Sequence, residues 1–308
     1  MRTSFIDWIR VPRDLETIGR SFQRKMFGLD NRSSHPLLSG DTFKYLCQLI
    51  LEGQIEEQDY DFPALQELTG TIFAQAEPVS NATKILVQVC QSGMKFPNAD
   101  LVIHNGDVIP NPAEMLALSN SFRNVYSVNW LGDSAVAAPL PIGLENRDKR
   151  RNGVPIDYLR EISRGLPSHE ERDIVLLVAF SLHTNFEERS LALECARDIR
   201  GAKIITKPIT PRQYRNLVLR SRFVLSPPGN GPDCHRTWEA LYLGATPIVH
   251  RDSWPFQAHG LPVLQVDSWG EIELKITNNS TEVNNSWKYI NYWIPRDNFP
   301  TKPSRVAD

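Results

Sequence analysis

The residues best suited to chemistry lie in one run, Ser226-Pro227-Pro228-Gly229-Asn230-Gly231-Pro232-Asp233-Cys234-His235-Arg236-Thr237-Trp238-Glu239-Ala240-Leu241. An apolar stretch, Phe223-Val224-Leu225, precedes it and a helical pattern follows. The run therefore predicts a strand-to-helix turn whose free backbone N–H groups and positive dipole end face an anion. Gly229 and Gly231 remove side chains that would hold a phosphate away from the backbone. His235 and Arg236 fall in the first helical turn, and Glu239 lies one turn after His235 on the same face. Arg236 can fork onto a pyrophosphate, Glu239 can accept from two vicinal hydroxyls, and the set reads as a nucleoside-diphosphate site. The spacing fits neither a Gly-Lys-Ser/Thr loop nor GxGxxG, which counts against P-loop phosphoryl transfer and dinucleotide redox chemistry. Gly/Pro-rich turns also occur as plain structure; the His-Arg-x-x-Glu directly after this one favours a site. Asp233 reads as the helix N-cap, accepting from the N–H groups around Arg236.

The stretch from Phe223 to Val249, FVLSPPGNGPDCHRTWEALYLGATPIV, resembles the C-terminal signature of exostosin-like glycosyltransferases and their bacterial and viral relatives. There a Ser-Pro-x-Gly loop leads to an Arg-x-x-Glu-Ala-Leu helix and then Gly-x-x-Pro-Ile/Val. Leu140-Pro141-Ile142-Gly143-Leu144-Glu145-Asn146 is similar to the group's Pro-x-Gly-x-Glu segment, and Phe180 to Arg189 resembles the polar turn after the first strand of its C-terminal domain. The likeness runs from about residue 100 to 265 and leaves the first 80 residues unassigned. It implies an α/β fold of GT-B type, two Rossmann-like domains with parallel sheets facing a central cleft. It also implies metal-independent transfer, with no cofactor beyond the nucleotide-sugar substrate. On this likeness Gly229, Asn230 and Gly231 line the diphosphate, Arg236 neutralises it, Glu239 holds the ribose, and His235 meets phosphate or the donor sugar. The one close Asp-x-Asp pair, Asp59-Tyr60-Asp61, follows no predicted strand.

An inverting transfer needs a base for the acceptor hydroxyl. His104-Asn105-Gly106-Asp107 ends a predicted strand, where open α/β sheets place ligands. Asp107 and His104 are the candidates, with Glu145 a third, although Asn-Gly-Asp is also a strong turn former with no catalytic duty. Asn185 and Arg189 belong to the first βα turn of the second series: Asn185 as a helix cap or a donor contact, Arg189 as a surface residue or a second hand on the diphosphate.

These residues need strands to carry them. Ile85–Val89, Leu101–His104 and Asn124–Val128 read as buried strands, with a helix from Pro112 between the last two. A helix beginning near Asp41 should carry Phe43, Leu46, Leu49 and Ile50 on one face. The charged, Gly/Pro-punctuated stretch before Asp173 reads as a linker. A βαβαβαβ series then follows: strands at 173–179, 202–206, 223–225, 246–249 and 263–266, and helices at 187–199, 211–220 and 234–243. The resulting division is 1–145, an acceptor-side Rossmann-like domain; 146–172, a linker; 173–267, the nucleotide-sugar domain; and 268–308, a tail that Trp269, Trp287 and Trp293 pin to the body.

With 308 residues, two domains are expected. Lys plus Arg number 34 against 36 Asp plus Glu, which argues against a nucleic-acid partner. The four cysteines have no CxxC spacing and read as reduced thiols. No apolar run of about 18 residues occurs, and charges interrupt the N-terminus where a signal peptide needs an apolar core. The expected protein is a cytoplasmic glycosyltransferase acting on a nucleotide-sugar donor and a glycan or lipid-linked acceptor. Its basic run Arg147–Arg151 is a candidate contact with the inner membrane face if the acceptor is lipid-linked. The competing readings are a nucleotide-sugar epimerase of the same build and a non-catalytic nucleotide- or glycan-binding protein.

Overall fold

The computed structural model describes residues 37–146 and 154–278 together with Trp293. They form an α/β fold with two parallel five-stranded sheets. In the first, β1 (Leu49–Leu51), β2 (Gly70–Gln75), β3 (Phe96–His104), β4 (Phe122–Val128) and β5 (Ala138–Leu140) lie side by side in chain order. Helices α1 (Gly40–Tyr45), α2 (Phe62–Leu65), α3 (Ala82–Gln91) and α4 (Pro112–Ser119) belong to this half. The second sheet runs β10-β9-β8-β6-β7, from β6 (Ile174–Val178), β7 (Ala202–Ile204), β8 (Ser221–Leu225), β9 (Thr246–His250) and β10 (Leu264–Val266). Its helices are α5 (Pro155–Ser163), α6 (Phe186–Ala196), α7 (Pro211–Arg220), α8 (His235–Tyr242) and α9 (Ile272–Thr277).

Parallel strands covered on both faces need apolar residues at every position, and the core divides by strand parity. Ile72, Ala74, Leu101 and Ile103 pack with Leu86 of α3 and Met115 of α4. Their neighbours Phe73 and Val102 face the other way, into a cluster with Phe43 that continues without a break to Leu177, Val224 and Trp238 of the second half.

The second series follows the sequence reading closely, whereas two segments of the first half differ from it. Ile85–Val89, expected as a strand, lies inside α3, where Ala82, Leu86, Val89 and Cys90 are buried at helical spacing. A short apolar run has no period long enough to separate the two, and the strand position is taken by Gly70–Gln75. Helix α1 starts under the Ser39 cap but stops at Tyr45. Gln48 N–H then donates to Thr71 O at 2.9 Å and turns Leu49–Leu51 into the edge strand. Asp41 lies in the first turn of α1, and Ser39 is the cap.

The stretch read as a linker contains α5, and its last residues carry a buried cation. Arg172, 1% exposed, donates through Nη1 to the carbonyls of Val218 (3.1 Å) and Ser221 (3.0 Å), and through Nη2 to those of Pro167 (3.1 Å) and Leu243 (2.8 Å). Burial lowers its pKa to about 10, so it stays protonated at neutral pH. In the tail, Trp269 is buried and donates to Glu188 at 2.8 Å. Trp293 meets the rings of Trp238, Phe256 and His259 with centroids 5.0 to 5.8 Å apart. Trp287 and the basic run Arg147–Arg151 lie outside the described residues. No helix among the described residues is long and apolar enough to cross a membrane.

Candidate functional site

In the second sheet β7 lies on one side of β6 and β8 on the other, so the chain leaves β6 and β8 in opposite directions. The space between the two exits, at the carboxyl ends of the strands, is the crevice in which sheets of this topology bind ligands. The β6 exit supplies Phe180, Ser181 and Thr184, and the β8 exit supplies the Ser226–Cys234 loop and the first turn of α8.

Two arginines converge there. Arg189, on the first turn of α6, is 5% exposed; it donates from Nε to Pro228 O (2.8 Å) and from Nη1 to Ser181 O (2.6 Å), tying the two exits together. Burial, helped by the nearby Arg236 charge, lowers its pKa to about 10. Arg236, on α8, donates to Pro227 O at 3.3 Å. Both guanidinium groups flank the Phe180 ring, at 5.8 Å for Arg189 and 5.2 Å for Arg236. Among the described residues neither forms a salt bridge with a carboxylate. Gly229 is required by distance: a Cβ there would sit 2.8 Å from Arg189 Nη2. Asn185 holds the N-cap position of α6, but its side chain makes no capping bond.

Beyond Gly229 the loop turns onto the exits of the first sheet. Asn230 Nδ2 donates to Asp107 Oδ2 at 3.2 Å, a Cβ on Gly231 would meet the Asn129 amide at 2.7 to 2.9 Å, and His235 Nδ1 donates to Gly143 O at 2.8 Å. Asp233 is not the cap of α8, whose N-cap position belongs to Cys234. Its buried carboxylate instead crosses the seam, with Oδ2 accepting from Ile142 N–H (2.8 Å) and Oδ1 from Cys234 N–H (2.8 Å) and Trp238 Nε1 (2.9 Å). Burial without a cation raises its pKa to about 7, against the pull of these donors.

That shift gives a testable slope. The native state keeps a proton on Asp233 that the unfolded chain releases near pH 4. Its contribution to stability is therefore full below about pH 4 and is lost as pH rises to 7. His104, with a pKa lowered to about 4 by burial, acts in the opposite direction, its contribution being lost as pH falls from about 6.5 toward 4. The difference in unfolding free energy between the parent and Asp233→Asn should thus decline across pH 4 to 7 by up to about 1.4 kcal/mol per pH unit. Denaturant titrations at four pH values would check this, and a flat difference would mean that Asp233 stays ionised.

The catalytic candidates differ in their surroundings. His104 is 1% exposed, stacks on Phe43 with centroids 5.2 Å apart, and has its Nε2 3.0 Å from Pro141 O. Its Nδ1 accepts from Asn105 N–H at 2.8 Å, which commits both ring nitrogens within the core. Asp107 is exposed on the rim beside Asn230. Glu145 is half-buried and close enough to raise the pKa of Glu239. Glu239 lies beneath the loop, 3% exposed, with its pKa raised to about 7 chiefly by burial, while Tyr158, Arg236 and Tyr214 lower it in part. Among the described residues its Oε1 has no hydrogen-bond partner.

Neither protein-family models nor curated proteins give a match to this chain.

What remains is geometry: a cationic crevice under a glycine loop, a carboxylate on its rim, and a buried carboxyl at its floor. Among the described residues no group of three or more His, Cys, Asp or Glu side chains is placed to hold a metal ion. Sequence reasoning missed Phe180 as the surface between the arginines. It also missed Asn129, which the rule that pointed to Asn105-Gly106-Asp107 would have found, since Asn129 likewise follows the carboxyl end of a strand.

Proposed function

We propose that this chain is a nucleotide-sugar-dependent glycosyltransferase of the exostosin-like, GT-B kind. It would transfer a sugar with inversion and without a metal to a hydroxyl of a glycan or lipid-linked acceptor. The observation that carries the reading is the pair Arg189 and Arg236, which form no salt bridge among the described residues and lie beside a glycine loop at the point where β6 and β8 diverge. A buried and a half-buried guanidinium group over one aromatic ring repel each other, and a diphosphate between them turns that repulsion into attraction. In the reaction the acceptor oxygen attacks the anomeric carbon and its proton passes to Asp107. The bond from that carbon to the diphosphate breaks, and its electron pair remains on the departing phosphate oxygen, where Arg236 and Arg189 stabilise the charge. Glu239 offers the unpartnered Oε1 to the ribose.

The test is calorimetric titration of UDP, GDP, ADP and CMP into the parent and Arg236→Ala. One nucleotide should bind selectively, and the variant should bind it about 10- to 100-fold more weakly, the value of a charge-assisted contact. Binding of none of the four, or full affinity in Arg236→Ala, would overturn the reading. Arg189 is a poorer probe because it also holds both loops together.

The electrostatic coupling of Glu145 to Glu239, whose pKa burial raises, favours one second reading, an epimerase, since two carboxyl groups near each other suit proton exchange at a sugar carbon. An epimerase would convert its nucleotide sugar without an acceptor present.

A further inference from the structure

Asn129, the first residue past β4, has an unusual combination of properties. Its backbone is left-handed, with φ of 59°, as is that of Asn105 at the exit of β3, with φ of 63°. Asparagine tolerates this region better than most residues, but glycine suits it at least as well, so what asparagine adds here is its carboxamide. That group is fully buried. Nδ2 donates to Gly106 O at 3.2 Å, which fixes the orientation of the amide, because the reverse would set two oxygens against each other. The other end, Oδ1, is buried and has no hydrogen-bond partner among the described residues. Stripping an acceptor of water without replacing the bond is costly, and backbone strain beside it marks sites where function dictates geometry.

The carboxamide, its unpartnered oxygen included, packs against the loop of the cationic crevice. An ideal Cβ on Gly231 would be 2.7 Å from Nδ2 and 2.8 Å from Oδ1, and Gly231 is two residues from Gly229, which packs on Arg189. The cover over Oδ1 is therefore the tip of that same loop. Asn230 at the tip is exposed and reaches the first half through Asp107. A ligand entering under the tip would shift it and meet the oxygen. An amide oxygen can only accept, so it does not recognise phosphate, which has no proton to offer at neutral pH, but it does recognise a hydroxyl.

Resting on the glycosyltransferase reading, we propose that Asn129 is a specificity-determining residue whose Oδ1 accepts a hydrogen bond from a hydroxyl of the sugar carried by the bound nucleotide. The first half of the molecule would then identify the sugar while the second holds the diphosphate. A site built around one acceptor discriminates strongly against sugars that lack a matching donor.

The experiment compares each free nucleotide (UDP, GDP, dTDP and ADP) with its hexose conjugates by calorimetry, on the parent, Asn129→Gly and Gly231→Ala. Asn129→Gly keeps the backbone conformation and deletes the acceptor. It should bind free nucleotide within about 2-fold of the parent and lose about 3- to 10-fold for the preferred conjugate. Gly231→Ala, whose methyl needs the space of the amide but lies on the diphosphate loop, should lose more affinity for the conjugate than for the free nucleotide, and it serves if Asn129→Gly does not fold. Equal losses for nucleotide and conjugate would reduce Asn129 to a support of the loop. Unchanged affinities would mean that water satisfies Oδ1. A parent that binds nucleotides but gains nothing from any attached hexose would also overturn this assignment while leaving the diphosphate site intact. A parent that binds nothing would remove the glycosyltransferase reading and this one with it.

Discussion

Replacing Asp107 by asparagine should lower turnover by about 100- to 10,000-fold, the usual range for loss of a positioned base, while nucleotide affinity changes by less than about 2-fold. Asparagine has the same shape and keeps an oxygen for Asn230, so the contact across the seam can persist while the proton acceptor is lost. The placement supports the choice. His104 has both nitrogens committed inside the core, whereas Asp107 is exposed beside the loop. Steady-state release of nucleotide from the preferred sugar conjugate would measure the effect. A turnover within about 3-fold of the parent would remove Asp107 from the chemistry and leave Glu145 as the next candidate.

The largest expected effect on stability lies elsewhere. Arg172→Met should destabilise the protein by about 3–5 kcal/mol, the range for breaking a buried charged arrangement. Methionine fills similar space but leaves the carbonyls of Pro167, Val218, Ser221 and Leu243 without their donor. Those carbonyls come from the start of the second half and from the ends of α7 and α8, so one side chain ties three segments together. Lysine should recover only part of the loss, because an ammonium cannot reproduce the planar fork. Denaturant unfolding with an unchanged m-value would establish the change as one of stability. A loss under about 1 kcal/mol would show that water replaces the guanidinium at little cost.

How much of this was legible in the sequence depends on how local the cause was. Strands such as Ile174–Val178 and helices such as Pro211–Arg220, the latter with a Thr210–Gln213 capping box, carry their instructions within a few residues. The glycine loop between β8 and α8 was legible for the same reason. Ile85–Val89 was not, because a run of five apolar residues suits either a strand or one side of a helix until its neighbours are known. Asp233 looked like a cap because caps are local, but its partner Ile142 is 91 positions away and in the other half. Arg172 sits in SHEERD, a stretch with the composition of a surface, and only the carbonyls that surround it in three dimensions mark it as interior.

Gly229 and Gly231 have a consequence for how this protein can vary. Neither is among the glycines with positive φ, so a survey of backbone angles would rate both as replaceable. Their constraint is a shortage of space, set by Arg189 for one and Asn129 for the other. Each glycine is thus bound to one distant partner, and the two pairs should behave as epistatic units. A larger residue at 231 becomes acceptable only with a smaller one at 129, and any at 229 only with a shorter side chain at 189. Variation at 229 and 231 would then proceed by paired exchanges, with single enlargements costly and double steps better tolerated, so that a library built one position at a time would undervalue them.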